Sequence, residues 1–126
     1  LDAGFMPVLA PLTHDGAGSM LNTNADTIAA TVARALYAHY HTRLIFCFDK
    51  KGVLASDDEN EVIPRLTEAE YRRLRAAGVI SKGMLPKLDN AFEALHAGVQ
   101  SVLLCHASEL LQALSGAGCG TKLMRE

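Results

Sequence analysis

Leu44-Ile45-Phe46-Cys47-Phe48 is an unbroken run of five apolar residues. A strand on a half-solvated sheet alternates apolar with polar residues, whereas an unbroken run is what a parallel-sheet strand covered on both faces requires. Asp49 follows at once and Lys51-Gly52 ends the run, so an acid and a flexible turn stand at the strand's carboxyl end. Open α/β sheets bind ligands at that end, although a turn Asp before Gly is at least as common an explanation. Upstream, residues 25–40 are Ala-rich, with Ile28, Val32, Ala35 and Leu36 at helical spacing. Residues 5–12 read as a strand, His14-Asp15-Gly16-Ala17-Gly18 as a loop, and residues 19–21 as a short returning strand. Downstream, Val53-Leu54 and Val62-Ile63 flank an acidic turn over residues 56–61, which predicts a small exposed hairpin. Thr67-Glu68-Ala69-Glu70 has the capping-box pattern and opens a helix that runs to about Ala77, before Gly78. Residues 87–97 form another amphipathic helix, 101–105 a second strand, 108–114 a short helix, and 122–124 a terminal edge strand. This alternation implies a three-layer α/β/α sandwich with a mainly parallel sheet. No repeat, low-complexity tract or linker divides residues 1–126, so one domain is expected.

The 126 residues are 49% hydrophobic and 21% charged, enough for a real core in one compact domain. A net charge of -2 argues against nucleic acid or an anionic membrane as the main partner. No apolar run reaches the roughly 18 residues a membrane span needs, and no signal-peptide pattern opens the chain. Cys47, Cys105 and Cys119 lack any CxxC spacing; Cys47 and Cys105 sit in strand-like runs, where buried reduced thiols are expected. A cytoplasmic protein is the consequent expectation. Leu1-Asp2-Ala3-Gly4 reads as a helix end feeding a strand, without an initiator Met, which suggests a piece of a longer polypeptide.

Asn22-Thr23-Asn24-Ala25-Asp26 sets two carboxamides and a carboxylate at alternate positions before the long helix. Asn supplies a donor and an acceptor on one side chain, Asp supplies charge, and a helix N-terminus favours anions. An N-cap explains one of these three residues well and three poorly. In Ser81-Lys82-Gly83-Met84-Leu85-Pro86-Lys87, a Lys stands just inside a helix start, against the positive end of the dipole. An anion would justify it; a solvated surface Lys is an equally good account of this segment alone. The P-loop and GxGxxG patterns are absent, and neither His39 with His41 nor Cys105 with His106 makes a metal site.

Together these segments resemble the C-terminal half of the N-acetylglutamate kinases, within the amino acid kinase family, nearly end to end. Asn22-Thr23-Asn24-Ala25-Asp26 matches N-x-N-A-D, and Asp49-Lys50-Lys51-Gly52-Val53-Leu54 is similar to the D-x-x-G-[VI]-L nucleotide loop. Residues 78–87 resemble G-x-I-x-x-G-M-x-x-K, and Gly118-Cys119-Gly120-Thr121 the terminal G-x-G-T. The resemblance implies ATP-dependent phosphorylation of the side-chain carboxylate of an N-acylglutamate, N-acetylglutamate above all, to an acyl phosphate in arginine synthesis. It assigns Asn22 and Asn24 to the acylglutamate, Asp26 to orienting the phosphate-contacting lysines, and Lys87 to neutralising the transferring group. Asp49, Gly52, Val53, Leu54 and Met84 shape the adenine and ribose pocket in this reading. Mg²⁺ accompanies ATP, held mainly by phosphate oxygens and water, with no metal ligand expected among these residues.

The same resemblance makes residues 1–126 the ATP-binding portion, with the substrate-binding N-terminal half missing and the fragment inactive alone. It implies a homo-oligomer at full length, with contacts mainly in the other half. Lys50-Lys51 and Lys82 depart from the pattern, where apolar or proline-like residues and Gly are usual. Rival readings are another amino acid kinase, such as glutamate 5-kinase or carbamate kinase, and a nucleotide-binding domain without chemistry.

Overall fold

The computed structural model describes residues 1–56 and 58–125; Asp57, in the acidic turn, lies outside the described residues. A hairpin of β1 (Leu12–His14) and β2 (Met20–Asn22) leads into α1 (Ala25–Leu36) and β3 (Arg43–Phe48). There follow β4 (Arg65–Thr67), α2 (Glu68–Ala76), α3 (Leu85–Ala97), β5 (Ser101–His106), a 3-10 turn (Ala107–Glu109), α4 (Leu110–Ser115) and β6 (Thr121–Met124). The main sheet has the order β3-β5-β6-β4. β3 runs parallel to β5 and β4 to β6, while β5 and β6 are antiparallel. The mainly parallel α/β sandwich expected from the sequence is therefore present. β6 is not an edge strand: it lies between β5 and β4 and joins the two parallel pairs.

One sheet face carries the core. Leu44 and Phe46 of β3, Val102 and Leu104 of β5, and Leu123 of β6 pack with Ala30 and Ala33 of α1 and Leu88, Ala91, Phe92 and Leu95 of α3. The alternate residues of β3 tell a different story. Arg43 and Cys47 are exposed, so the apolar run is buried on one face only. The reason is the thinness of the second helical layer, where α4, six residues long, buries Ala113 against that face. Cys47 is consequently an exposed thiol rather than a buried one, whereas Cys105, its register partner on β5, is buried. Burial, then the neighbouring Cys47, pushes the Cys105 thiol up to about 12.

Residues 5–11 form no strand, unlike the expectation, and every residue from 1 to 22 is exposed. A strand requires a hydrogen-bonding neighbour, and Pro7 and Pro11 withhold two donors from any such ladder. Residues 25–36 rather than 25–40 are helical, and α3 begins at Leu85, two residues earlier than the sequence suggested, because Pro86 fits the first turn. Thr67 caps α2 as expected, accepting from Glu70 N at 3.2 Å.

Candidate active site

The Asp26 carboxylate and the Lys87 ammonium, 61 residues apart, meet at 2.5 Å. Each stands in the first turn of its helix, so two helix N-termini converge beside the carboxyl end of β3. Asp26 suits the positive end of α1, but Lys87 opposes the positive end of α3, whose first turn holds no acid. The α1 carboxylate answers that cost. Their side chains are 24% and 15% exposed respectively, so the pair is largely withdrawn from water yet reachable. Lys87 Nζ also lies 5.1 Å from the Phe46 ring centroid and 5.7 Å from that of Phe48.

Asn24 is the N-cap of α1: its Oδ1 accepts from Asp26 N at 2.8 Å and from Thr27 N at 3.3 Å. The cap thus fixes the backbone of the residue whose carboxylate holds Lys87. Asn22 ends β2 opposite Leu12 and is exposed, two residues before the Asn24 cap.

The expected nucleotide loop follows β3. Asp49 is exposed and lines a recess of about 280 Å³ with Lys50, Lys51, Glu59, His106 and Ser108. His106 Nδ1 is 2.7 Å from Ser108 Oγ; no spacing along the chain singles out this pair, which the parallel register of β3 and β5 brings beside Asp49. Lys50 pairs with Glu59 across the small hairpin, and this contact holds the Lys50 ammonium above and the Glu59 carboxyl below their usual ranges. Val53 is 2% exposed and belongs to the core, so its part in the loop is structural as far as its side chain goes. Leu54 bridges to Val62, and Met84 is the half-buried residue before α3, packed on the core edge.

Thr121, the terminal residue of the G-x-G-T segment, anchors that loop. Its fully buried hydroxyl accepts from Val53 N at 2.8 Å and donates to Ile63 O at 2.6 Å. A Cβ on Gly52 would come within 2.7 Å of both Thr121 Oγ1 and Val62 Cγ1, which accounts for glycine there. A larger cleft, of about 690 Å³, lies on the other sheet face under residues 116–120 and includes neither Asp26 nor Lys87. Arg43, Ile45, Arg65, Leu103 and Lys122 line it, beside Lys51 of the loop after β3 and Gly118, Cys119 and Gly120 of the G-x-G-T segment. Among the described residues, no cluster of three or more His, Cys, Asp or Glu could hold a metal ion, and no helix is long and apolar enough to cross a membrane.

An acetylglutamate kinase of Bacteroides fragilis is 55% identical over 108 residues, covering 85% of this chain and 41% of the relative. An acetylglutamate kinase of Cytophaga hutchinsonii is 48% identical over 126 residues, covering 98% of this chain and 48% of the relative. The chain thus spans slightly less than half the length of these curated relatives. A solved N-acetylglutamate synthase from Neisseria gonorrhoeae superposes over 100% of this chain and 29% of its own, with a TM-score of 0.84 at 28% identity. The model of the amino acid kinase family matches residues 1–106, and the chain belongs to that family.

Proposed function

We propose that residues 1–126 are the C-terminal, ATP-binding portion of a cytoplasmic N-acylglutamate kinase that phosphorylates N-acetylglutamate. The observation that carries this reading is the Asp26–Lys87 pair where two helix N-termini converge, a site built for an anion. The 41–48% coverage of kinase relatives and the exposed apolar arm of Phe5, Met6, Val8 and Leu9 support a further portion that covers the arm and completes the site.

In this reaction a substrate carboxylate oxygen bonds to the γ-phosphorus as the bond to the β-phosphate oxygen breaks, releasing ADP. The acceptor is already ionised at neutral pH, so no protein base is needed. Asp26 is accordingly free to spend its charge on Lys87. The Lys87 ammonium, held by Asp26, offers its remaining N–H groups to the transferring phosphoryl group and neutralises its charge. Asn22 and Asn24 hold the acylglutamate, and Asp49, Gly52, Leu54 and Met84 border the nucleotide, with Val53 and Thr121 fixing the loop from beneath. A Mg²⁺ ion accompanying ATP would be held by phosphate oxygens and water, where it would offset phosphate charge.

The likeness to a synthase favours one second reading, a ligand-binding domain of this fold without phosphoryl transfer. Retention of both Asp26 and Lys87 weighs against it. ADP release by the full-length protein with Mg-ATP separates the two, using N-acetylglutamate, N-succinylglutamate and free glutamate as acceptors. Turnover with an acylated glutamate, lost about a hundredfold in Lys87→Ala, supports the kinase. No turnover with any acceptor, or a Lys87→Ala variant within about threefold of the parent, would overturn it.

A further inference from the structure

Lys87 has more neighbours than its carboxylate. Phe46 and Phe48 are two residues apart on β3, so both rings project from the same sheet face, the face that α3 covers. Phe46 is 4% exposed and fixed in the core, and Phe48 packs partly buried against the same cluster. Their ring centroids stand 5.1 and 5.7 Å from Lys87 Nζ, within the distance at which an aromatic face attracts an ammonium. With a side chain only 15% exposed, Lys87 has lost much of its hydration, which strengthens that attraction.

We propose that Phe46 and Phe48 form an aromatic seat that positions the Lys87 ammonium for the transferring phosphoryl group, an inference that rests on the kinase reading above. The chemistry favours rings over a second acid. A further carboxylate would take up N–H donors and hold the ammonium against the incoming phosphate. An aromatic face attracts the charge through its quadrupole and makes no strong directional hydrogen bond. The ammonium is thus centred by one carboxylate and two rings, with N–H groups left for the phosphate. The rings also exclude water, which keeps the lysine's field strong at the reacting group. Phe46 and Phe48 act through Lys87 and are positioning residues rather than catalytic ones.

The test is a series at position 48 in the full-length enzyme with one, two and three ring fluorines on phenylalanine, which drain the negative face while nearly preserving shape. Turnover of N-acetylglutamate should fall stepwise, to about tenfold at trifluorophenylalanine, with the KM for ATP moving much less. Phe48→Tyr should keep turnover, and Phe48→Leu should lose it by about the same factor as the trifluoro ring. A flat kcat along the series, while Lys87→Ala still costs about a hundredfold, would overturn the seat and leave the kinase reading standing. A harmless Lys87→Ala would instead overturn the kinase reading itself. In the 126-residue chain, proton NMR supplies a readout independent of turnover. The Lys87 Hε resonances should lie upfield of the other lysines from ring currents and return toward them in Phe48→Leu. Resonances at the ordinary lysine position in the parent chain would refute the seat directly.

Discussion

Replacing Thr121 by Val should be among the most damaging conservative changes in this chain, although it preserves shape and removes only a hydroxyl. Thr121 is fully buried, and its Oγ1 joins Val53 N at 2.8 Å to Ile63 O at 2.6 Å. Valine leaves an N–H on a residue that is 2% exposed and a carbonyl beneath the loop without that partner. An unsatisfied buried group costs ~1–3 kcal/mol, so the pair amounts to ~2–6 kcal/mol. A domain of this size shifts its midpoint by roughly 3–5 °C per kcal/mol, so Tm should fall by about 6 °C or more. Thr121→Ser keeps the oxygen and deletes one buried methyl, a loss of ~1 kcal/mol. Thermal unfolding followed by circular dichroism should therefore rank the parent above Ser and Ser above Val. Binding of a fluorescent ATP analogue below Tm should weaken in Val more than in Ser, because Val53 N belongs to the loop proposed to border the nucleotide. If Val proves no less stable than Ser, the methyl rather than the hydroxyl matters, and the clip between β6 and the loop is refuted.

Three further outcomes follow from packing and charge. Gly120→Ala should destabilise by at least ~3 kcal/mol and Gly116→Ala by only ~1 kcal/mol in urea unfolding. Both glycines have positive φ, but only at Gly120 would the new Cβ meet backbone, at 2.1 Å from Leu104 O. Iodoacetamide near pH 8 should label exposed Cys47 well before Cys105, whose thiol burial pushes up to about 12, as peptide mapping would show. Burial and then the Asp89 hydrogen bond raise the Tyr71 phenol from its ordinary 10.0 to about 12. A raised value in the fold means stability present in full below pH 10 and lost as pH rises through about 12. Urea midpoints should fall across that window, and Tyr71→Phe should flatten the fall.

Strands β3 and β5 were legible because their signal is local, whereas β4, three residues long, went unforeseen. The apolar run at residues 44–48, the capping box at Thr67 and the glycines after α2, α3 and α4 carry their own instructions. What failed depended on partners far along the chain. Residues 5–11 read as a strand on composition, yet a strand exists only if another strand accepts its hydrogen bonds. β6 read as an edge because it is last in sequence, while its place between β5 and β4 is fixed by tertiary pairing. The unbroken apolar run overstated burial for the same reason, since α4 is too short to cover Cys47. At the site, the motif residues Asp26 and Lys87 were legible from the family pattern. The ring seat, the Thr121 clip and the His106–Ser108 pair required strand register and helix packing to bring distant segments together.

The capping role of Asn24 sharpens what its place in N-x-N-A-D means. Its oxygen caps α1 and so fixes the turn from which Asp26 reaches Lys87, and a residue retained for that reason alone would not need to be Asn. Serine caps a helix about as well, is neutral, and lacks the amide N–H groups that Asn can turn toward a ligand carboxylate or acyl oxygen. Asn24→Ser in the full-length enzyme therefore separates the two roles, where Asn24→Ala, which removes both at a cost of ~1 kcal/mol, does not. If Asn24 holds the acylglutamate, Ser should leave Tm within a degree or two and raise the KM for N-acetylglutamate about tenfold or more, the loss of a hydrogen bond worth ~1.4 kcal/mol or above. The KM for ATP should stay put, because the cap still holds Asp26 and hence Lys87. An unchanged KM for both substrates would assign Asn24 to the cap alone and leave Asn22 as the acylglutamate contact. A rise for ATP together with a lower Tm would mean that serine had failed as a cap, and that the alignment of Asp26 with Lys87 depends on the geometry of this one carboxamide.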